Sequence, residues 1–151
     1  LNALQYVGLE LVPEFVSKGV SLYGSDPNFS LIQQDISSNI DLPVNDITMI
    51  SGLFNFRLLT GENYAFIESV IRKCFEKSRV GLSANFVTDR VDFQDPLMFY
   101  ADPCRIMEMA LSLTRKVCLK QDYFPFEYTI HMSKDDDFEP STSIFKDARY
   151  D

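Results

Sequence analysis

Tyr6-Val7-Gly8-Leu9-Glu10 is apolar and then abruptly acidic, and Phe29-Ser30-Leu31-Ile32-Gln33-Gln34-Asp35-Ile36 repeats the pattern, apolar residues running into Asp35. Reading both runs as strands decides the fold. Pro13 opens a helical pattern just beyond the first run, reaching to about Leu22 with Phe15, Val16, Gly19 and Val20 on one face. Proline suits the first turn of a helix because its φ is preset and its missing N–H would have no helical partner there. A carboxylate at the C-terminal tip of a strand stands at the crevice where open α/β sheets bind ligands, and there it can accept both hydroxyls of a ribose. No glycine-rich turn precedes the first run.

The alternation continues along the chain. Asp46 to Phe54 is a nearly unbroken apolar run, the pattern of a central parallel strand covered on both faces. Ile67, Ile71, Cys74 and Phe75 recur at helical spacing between Asn63 and Lys77, and Val80 to Val87 is another short apolar strand. Asp102-Pro103 gives a cap and a proline to start a helix with Ile106, Met109, Ala110 and Leu113 on its apolar face. Val117 to Lys120 and Glu127 to Met132 then read as two strands joined by a short Tyr/Pro turn. So short a connection predicts an antiparallel hairpin, since a parallel crossover needs a dozen or more residues. The order is β-α-β followed by β-α-β-α-β-β, that of a doubly wound sheet with one antiparallel edge hairpin.

The regular pattern fills residues 1–133 and gives way to a polar, acidic tail over 134–151, opening with Lys134-Asp135-Asp136-Asp137. That tail makes no calcium loop, because Pro140 stands where the loop needs its glycine. At 46% hydrophobic and 24% charged residues, the composition is that of a globular domain. A net charge of −8 offers no basic stripe to nucleic-acid phosphates. Cys74, Cys104 and Cys118 form no C-x-x-C pair, so neither a zinc site nor a disulfide framework is expected, and a reducing cytoplasm fits best. No run approaches the ~20 apolar residues of a membrane span. Leu rather than Met at position 1 is expected of a processed or truncated chain.

In order and spacing, these segments resemble the C-terminal two-thirds of a class I S-adenosylmethionine-dependent methyltransferase. Tyr6 to Val16 resembles that family's second strand and following helix, with Glu10, beside Leu11, in the place of the acid that holds the cofactor ribose. Gln34-Asp35-Ile36 resembles the end of the third strand, where an acid and its neighbour flank the adenine. Ile50-Ser51-Gly52-Leu53-Phe54-Asn55 resembles the fourth strand and the loop lining the methyl-donor pocket, which places Ser51 and Gly52 among the cofactor contacts. Gln121-Asp122-Tyr123 and Glu127-Tyr128-Thr129-Ile130 resemble the sixth and seventh strands, the last of which inserts antiparallel in the family. The resemblance implies a doubly wound, Rossmann-like sheet that lacks the family's first strand and glycine-rich loop. That first strand is central in the family, so its absence implies two unpaired apolar edges, completed by roughly 50 to 100 residues upstream, by an altered pairing or by a homodimer.

The implied activity is methyl transfer from S-adenosylmethionine to a small-molecule, sugar or peptide acceptor, with no metal and no membrane or nucleic-acid partner. Because a sulfonium is already an activated electrophile, positioning supplies much of the rate, and no catalytic triad is called for. Asn55, Asn85 and Tyr100 are the expected acceptor-side residues, and Phe93, Phe99 and Tyr100 fall in a loop that can shelter an apolar acceptor. Asp102 reads as a helix cap. His131, the one histidine, lies inside a strand away from the tips and reads as structural rather than as a general base. Two other readings stand beside this one: a non-catalytic binding or assembly domain of the same ancestry, and a nicotinamide-dinucleotide enzyme, which shares the acid-tipped second strand.

Overall fold

A computed structural model describes residues 4–38 and 40–135. The acidic tail expected over 134–151 lies outside the described residues from 136 onward. By its contacts the chain forms two compact units, Leu1–Asp41 and Leu42–Asp151.

In the first unit, β1 (Tyr6–Glu10), α1 (Pro13–Tyr23) and β2 (Phe29–Gln33) follow in the expected order. The two strands pair in parallel with Tyr6 opposite Phe29 and Glu10 opposite Gln33. Glycines set the helix-to-strand approach. A Cβ on Gly8 of β1 or on Gly19 of α1 would run into the two δ-methyls of Leu31, so both glycines make room for one β2 side chain. The Tyr6 and Phe29 rings stack at 5.2 Å. The apolar face expected of α1 is only half covered: Val16 and Gly19 are half-buried, whereas Phe15 is 64% exposed.

The second unit holds β3 (Asn45–Ile50), α2 (Asn63–Lys77), β4 (Ser78–Val87), α3 (Pro103–Leu111), β5 (Val117–Phe124) and β6 (Glu127–Ser133). Its sheet runs β3-β4-β6-β5. β3 and β4 are parallel, with α2 as their crossover. β4 with β6, and β6 with β5, are antiparallel, so the terminal hairpin forms as its short turn requires. α2 passes into β4 without a linker: Ser78 turns extended while its amide still bonds the Cys74 and Phe75 carbonyls. Leu82, Ala84 and Phe86 of β4 and Tyr128, Ile130 and Met132 of β6 are buried together with Ile67, Val70 and Ile71 of α2 and Ile106 and Ala110 of α3. This one-sided burial follows from strand alternation. β3 is shorter than its apolar run, ending at Ile50, because Gly52 adopts φ +73° and turns Phe54 inward to 2% exposure.

Among the described residues β1 pairs with β2 alone and β3 with β4 alone, so each has an outer edge without a strand. No helix of the described residues is long and apolar enough to cross a membrane.

Candidate functional site

The parallel register of the first unit brings its acidic tips to one end. Glu10 closes β1 opposite Gln33, Asp35 stands two residues farther on, and Gln34 N–H donates to the Glu10 carbonyl at 2.9 Å. Glu10 is half-buried, and its Oε1 accepts from the Val12 amide at 2.8 Å, which fixes the carboxylate over the turn into α1. Leu11 beside it is exposed. Asp35 is exposed; its Oδ1 accepts from both the Ser37 amide (2.8 Å) and the Ser37 hydroxyl (2.7 Å). Asp35 thus organises the turn that contains half-buried Ile36, the local role open to an aspartate that begins a turn. Both carboxylates stand where strand-tip acids meet ligands in α/β sheets, and each already shapes its own loop.

In the second unit the C-terminal ends of β3 and β4 lead into two long loops. Ser51 is exposed. Gly52 follows with a positive φ, which glycine adopts at no steric cost, and a Cβ there would meet open space. Its amide donates to Asn85 Oδ1 at 2.9 Å, while Asn85 Nδ2 reaches Glu127 Oε2 at 3.4 Å. Asn85 therefore holds the Gly52 turn to the start of β6. Asn55 is half-buried; its carbonyl accepts from the Phe99 amide at 3.0 Å, and its Oδ1 is buried without a hydrogen-bond partner. Tyr100 is half-buried, and its hydroxyl accepts from the Asp95 amide at 2.7 Å, so it braces its own loop.

The two loops are zippered together. Phe56 bridges Met98, the Arg57 amide donates to the Leu97 carbonyl at 2.9 Å, and Arg57 Nε donates to the Pro96 carbonyl at 3.1 Å. Beneath them Asn63, 3% exposed, donates from Nδ2 to the Phe56 carbonyl (2.8 Å) and accepts at Oδ1 from the Leu58 amide (3.1 Å). Sequence reasoning missed Asn63 and Glu127 as site-shaping residues. The signal for Asn63 was a polar side chain at the start of an otherwise apolar helical face; Glu127, 42 residues from Asn85, left none.

Asp102 caps α3 as expected, its Oδ1 accepting from the Cys104 amide at 2.9 Å. Its own amide donates to the Tyr64 hydroxyl at 3.0 Å, and the Arg105 guanidinium lies 3.7 Å over the Tyr64 ring. His131 sits mid-strand with Nδ1 3.1 Å from the Ser83 hydroxyl. It lines a shallow cleft of about 510 Å³ with Ile47, Val80 and Cys118, a cleft that none of the candidate residues enters. Burial pushes the Cys74 thiol up to about 11 despite the lowering influence of Lys73, and raises the Tyr128 phenol well above its ordinary value. Cys74 lies within α2, and the Tyr128 hydroxyl, near the start of β6, donates to the Ala101 carbonyl at 3.3 Å. Among the described residues no cluster of three or more His, Cys, Asp or Glu could hold a metal ion.

No protein-family model matches the sequence, and neither does any curated protein. Solved structures do. Magnesium protoporphyrin IX methyltransferase (ChlM) from Synechocystis PCC 6803, with bound SAM, matches at a TM-score of 0.59 and 12% identity over 87% of this chain and 60% of its own. The N-methyltransferase NodS from Bradyrhizobium japonicum WM9 matches at 0.58 and 11% identity, covering 85% of this chain and 72% of NodS. The DhpI–SAH complex matches at 0.59 and 13% identity, with 85% and 66% covered. The chain spans less than two thirds of the length of ChlM. Its mixed α/β fold is similar to that of the S-adenosylmethionine-dependent methyltransferases.

Proposed function

We propose that this chain is part of an S-adenosylmethionine-dependent methyltransferase of the class I, Rossmann-like type, acting on a small-molecule, sugar or peptide acceptor. The observation that carries the reading is the likeness of fold to two methyltransferases, one of them solved with bound SAM, and to the DhpI–SAH complex. The acids at this end of the parallel pair support it, since Glu10 ends β1 and Asp35 follows two residues after β2. In this reading Glu10, with Leu11, takes the ribose hydroxyls; Asp35 and Ile36 flank the adenine; and Ser51 and Gly52 let backbone approach the methionine part. Asn55 faces the acceptor, with Asn85 and Tyr100 holding the loops around it. The cofactor supplies the electrophilic methyl group, and the residues of the chain bind, orient and exclude water.

Calorimetric titration of S-adenosylhomocysteine into the chain and its Glu10→Ala variant tests the reading. One-to-one binding that the substitution weakens at least about tenfold, the loss of roughly 1.4 kcal/mol, is the expected result; unchanged affinity in the variant counts decisively against Glu10. Absence of binding to either chain favours a second reading, an assembly domain of the same ancestry that completes its sheet with another copy. The outer edges of β1 and β3 are what favours that reading. It requires a concentration-dependent dimer in light scattering, and a monomer at every concentration excludes it.

A further inference from the structure

The second unit's sheet packs α2 and α3 on one face, and its other face is not flat. Strand pairing lays two rows across that open face. Ile47, Gly81 and Ser133 stand opposite one another, and Met49, Ser83, His131 and Cys118 form the next row. Gly81 carries no side chain, so the first row sinks between Ile47 and Ser133. There lies the shallow cleft of about 510 Å³. Its apolar floor is uncovered, with Ile47 61% and Val80 55% exposed. Among the described residues none of its lining side chains is acidic, whereas Arg115 and Lys116 line it just before β5. That balance runs against the net charge of −8.

The end of β6 leads to this cleft. Ser133 lines it, its amide donating to the Lys116 carbonyl at 3.0 Å, and the Lys134 amide donates to the Val80 carbonyl at 2.8 Å. Two residues beyond Ser133, Asp135 Oδ2 stands 3.2 Å from Lys116 Nζ. A carboxylate of the chain's own thus already meets a cation of the cleft. It opens the run Asp135-Asp136-Asp137-Phe138-Glu139, four acids and one aromatic ring with no cation among them. Residues from 136 onward lie outside the described residues, and their reach starts from Asp135. From β6 to β3 is two strand spacings, about 10 Å. Three extended residues span about 10 Å, enough to bring Phe138 to Ile47. A shallow trough suits an extended segment better than a small molecule, which a binding cavity ordinarily encloses. A free anion would meet the repulsion of the whole acidic chain, whereas a tethered segment arrives at an effective concentration of about a millimolar.

Independently of the methyl-transfer reading, we propose that this cleft is the docking surface for the chain's own acidic segment 136–139. Asp136 and Asp137 join Asp135 beside Arg115 and Lys116, and the Phe138 ring seats on Ile47 and Val80. The segment then covers apolar surface that the sheet leaves exposed and balances the two cations before β5.

Nuclear Overhauser contacts in the full chain, with Ile and Val methyls and Phe rings labelled, test this directly. The Phe138 ring shows contacts to the Ile47 and Val80 methyls, assigned by their loss in Phe138→Ser. Arg115→Glu with Lys116→Glu abolishes those contacts. Adding Asp136→Lys with Asp137→Lys to that pair restores them, a rescue that charge pairing produces and a merely damaged fold does not. Signals of the buried Phe86 and Ile130 check the fold of every variant. Where the charge reversal unfolds the chain, the milder Arg115→Gln with Lys116→Gln gives the same readout, a weakening of both contacts. Absence of contacts to either methyl, or contacts unchanged by charge reversal or neutralisation, overturns the proposal. So do contacts seen only between a labelled and an unlabelled copy, which assign the cleft to a second copy of the chain.

Discussion

Replacing Asn63 by alanine removes the pin under the β3–α2 loop, and the size of the effect follows from its two hydrogen bonds. Asn63 Nδ2 donates to the Phe56 carbonyl at 2.8 Å and Oδ1 accepts from the Leu58 amide at 3.1 Å. Alanine leaves both backbone groups without that partner. A stranded polar group costs about 1–3 kcal/mol, but Phe56 is exposed and Leu58 half-buried, so water recovers part of the loss. About 1–2 kcal/mol for each group is appropriate, or about 2–4 kcal/mol together. The loss falls on the loop, because the residues that bury α2 (Ile67, Val70, Ile71, Cys74 and Phe75) are untouched. At 1.36 kcal/mol for each factor of ten, protection of the Leu58 amide against hydrogen exchange drops by roughly 30- to 900-fold. Amides in β4 and β6 keep theirs to within a few-fold. Residue-resolved exchange in the variant and the parent is the assay. A Leu58 amide whose protection changes less than threefold refutes the claim that Asn63 holds this loop, and a uniform fall across β4 and β6 refutes the claim that its effect is local.

Ile71→Ala empties a site that is 0% exposed, so unfolding should cost about 2–5 kcal/mol less, read as a lower urea midpoint at unchanged m-value. A loss below about 1 kcal/mol would mean that α2 does not pack as described. Gly81→Ala places a methyl against the Met132 carbonyl oxygen, a backbone atom that cannot step aside without opening the β4–β6 ladder. The expected cost is about 1–3 kcal/mol, with the His131 and Met132 amides exchanging faster. A disulfide reagent at pH 8 should label Cys104 and Cys118 in the folded protein and reach Cys74 only after denaturant is added, because Cys74 is buried and its thiol is held neutral. The folded value of about 11 stands above the reference of 9.0, so the unfolded chain sheds this proton first. Stability is therefore full below pH 9 and declines as pH rises toward 11. A denaturation midpoint that stays level across that window contradicts the burial of Cys74.

The order of elements was legible because each depends on local chemistry. Pro13 marks where α1 begins, Asp102-Pro103 marks α3, and the six-residue break between Lys120 and Glu127 is too short for anything but a hairpin, which the structure tightens to two residues after Phe124. Apolar runs were less faithful guides to length. Residues 51–54 read as a continuation of β3, yet Phe54 is apolar because it packs on Phe86, and Gly52 turns the chain out of the strand to bring it there. Conversely, Ser78 and Arg79 look like a polar linker but open β4; Ser78 sits beneath the helix end, 4% exposed, with its hydroxyl on the Cys74 carbonyl and 2.7 Å from that of Thr48. On the site, the acid tips of β1 and β2 announce themselves because a carboxylate breaks an apolar run sharply and marks where the strand leaves its packed surroundings. The two hydrogen bonds of Asn85 were not legible: its partners, Gly52 and Glu127, are 33 and 42 residues away, and no local pattern records such pairs.

The stacked rings of Phe54, Phe86 and Tyr128 join more than the core. Successive centroids are 5.2 Å apart, with planes within 9° and 17° of parallel. The column starts one residue before Asn55, on the loop after β3. It ends in a phenol that donates to the Ala101 carbonyl at 3.3 Å, one residue past Tyr100, at the close of the loop after β4. Both loops are therefore bolted to the same rigid shaft, crossing the sheet from one to the other. A substitution that displaces one ring of the column therefore disturbs the footing of both loops at once.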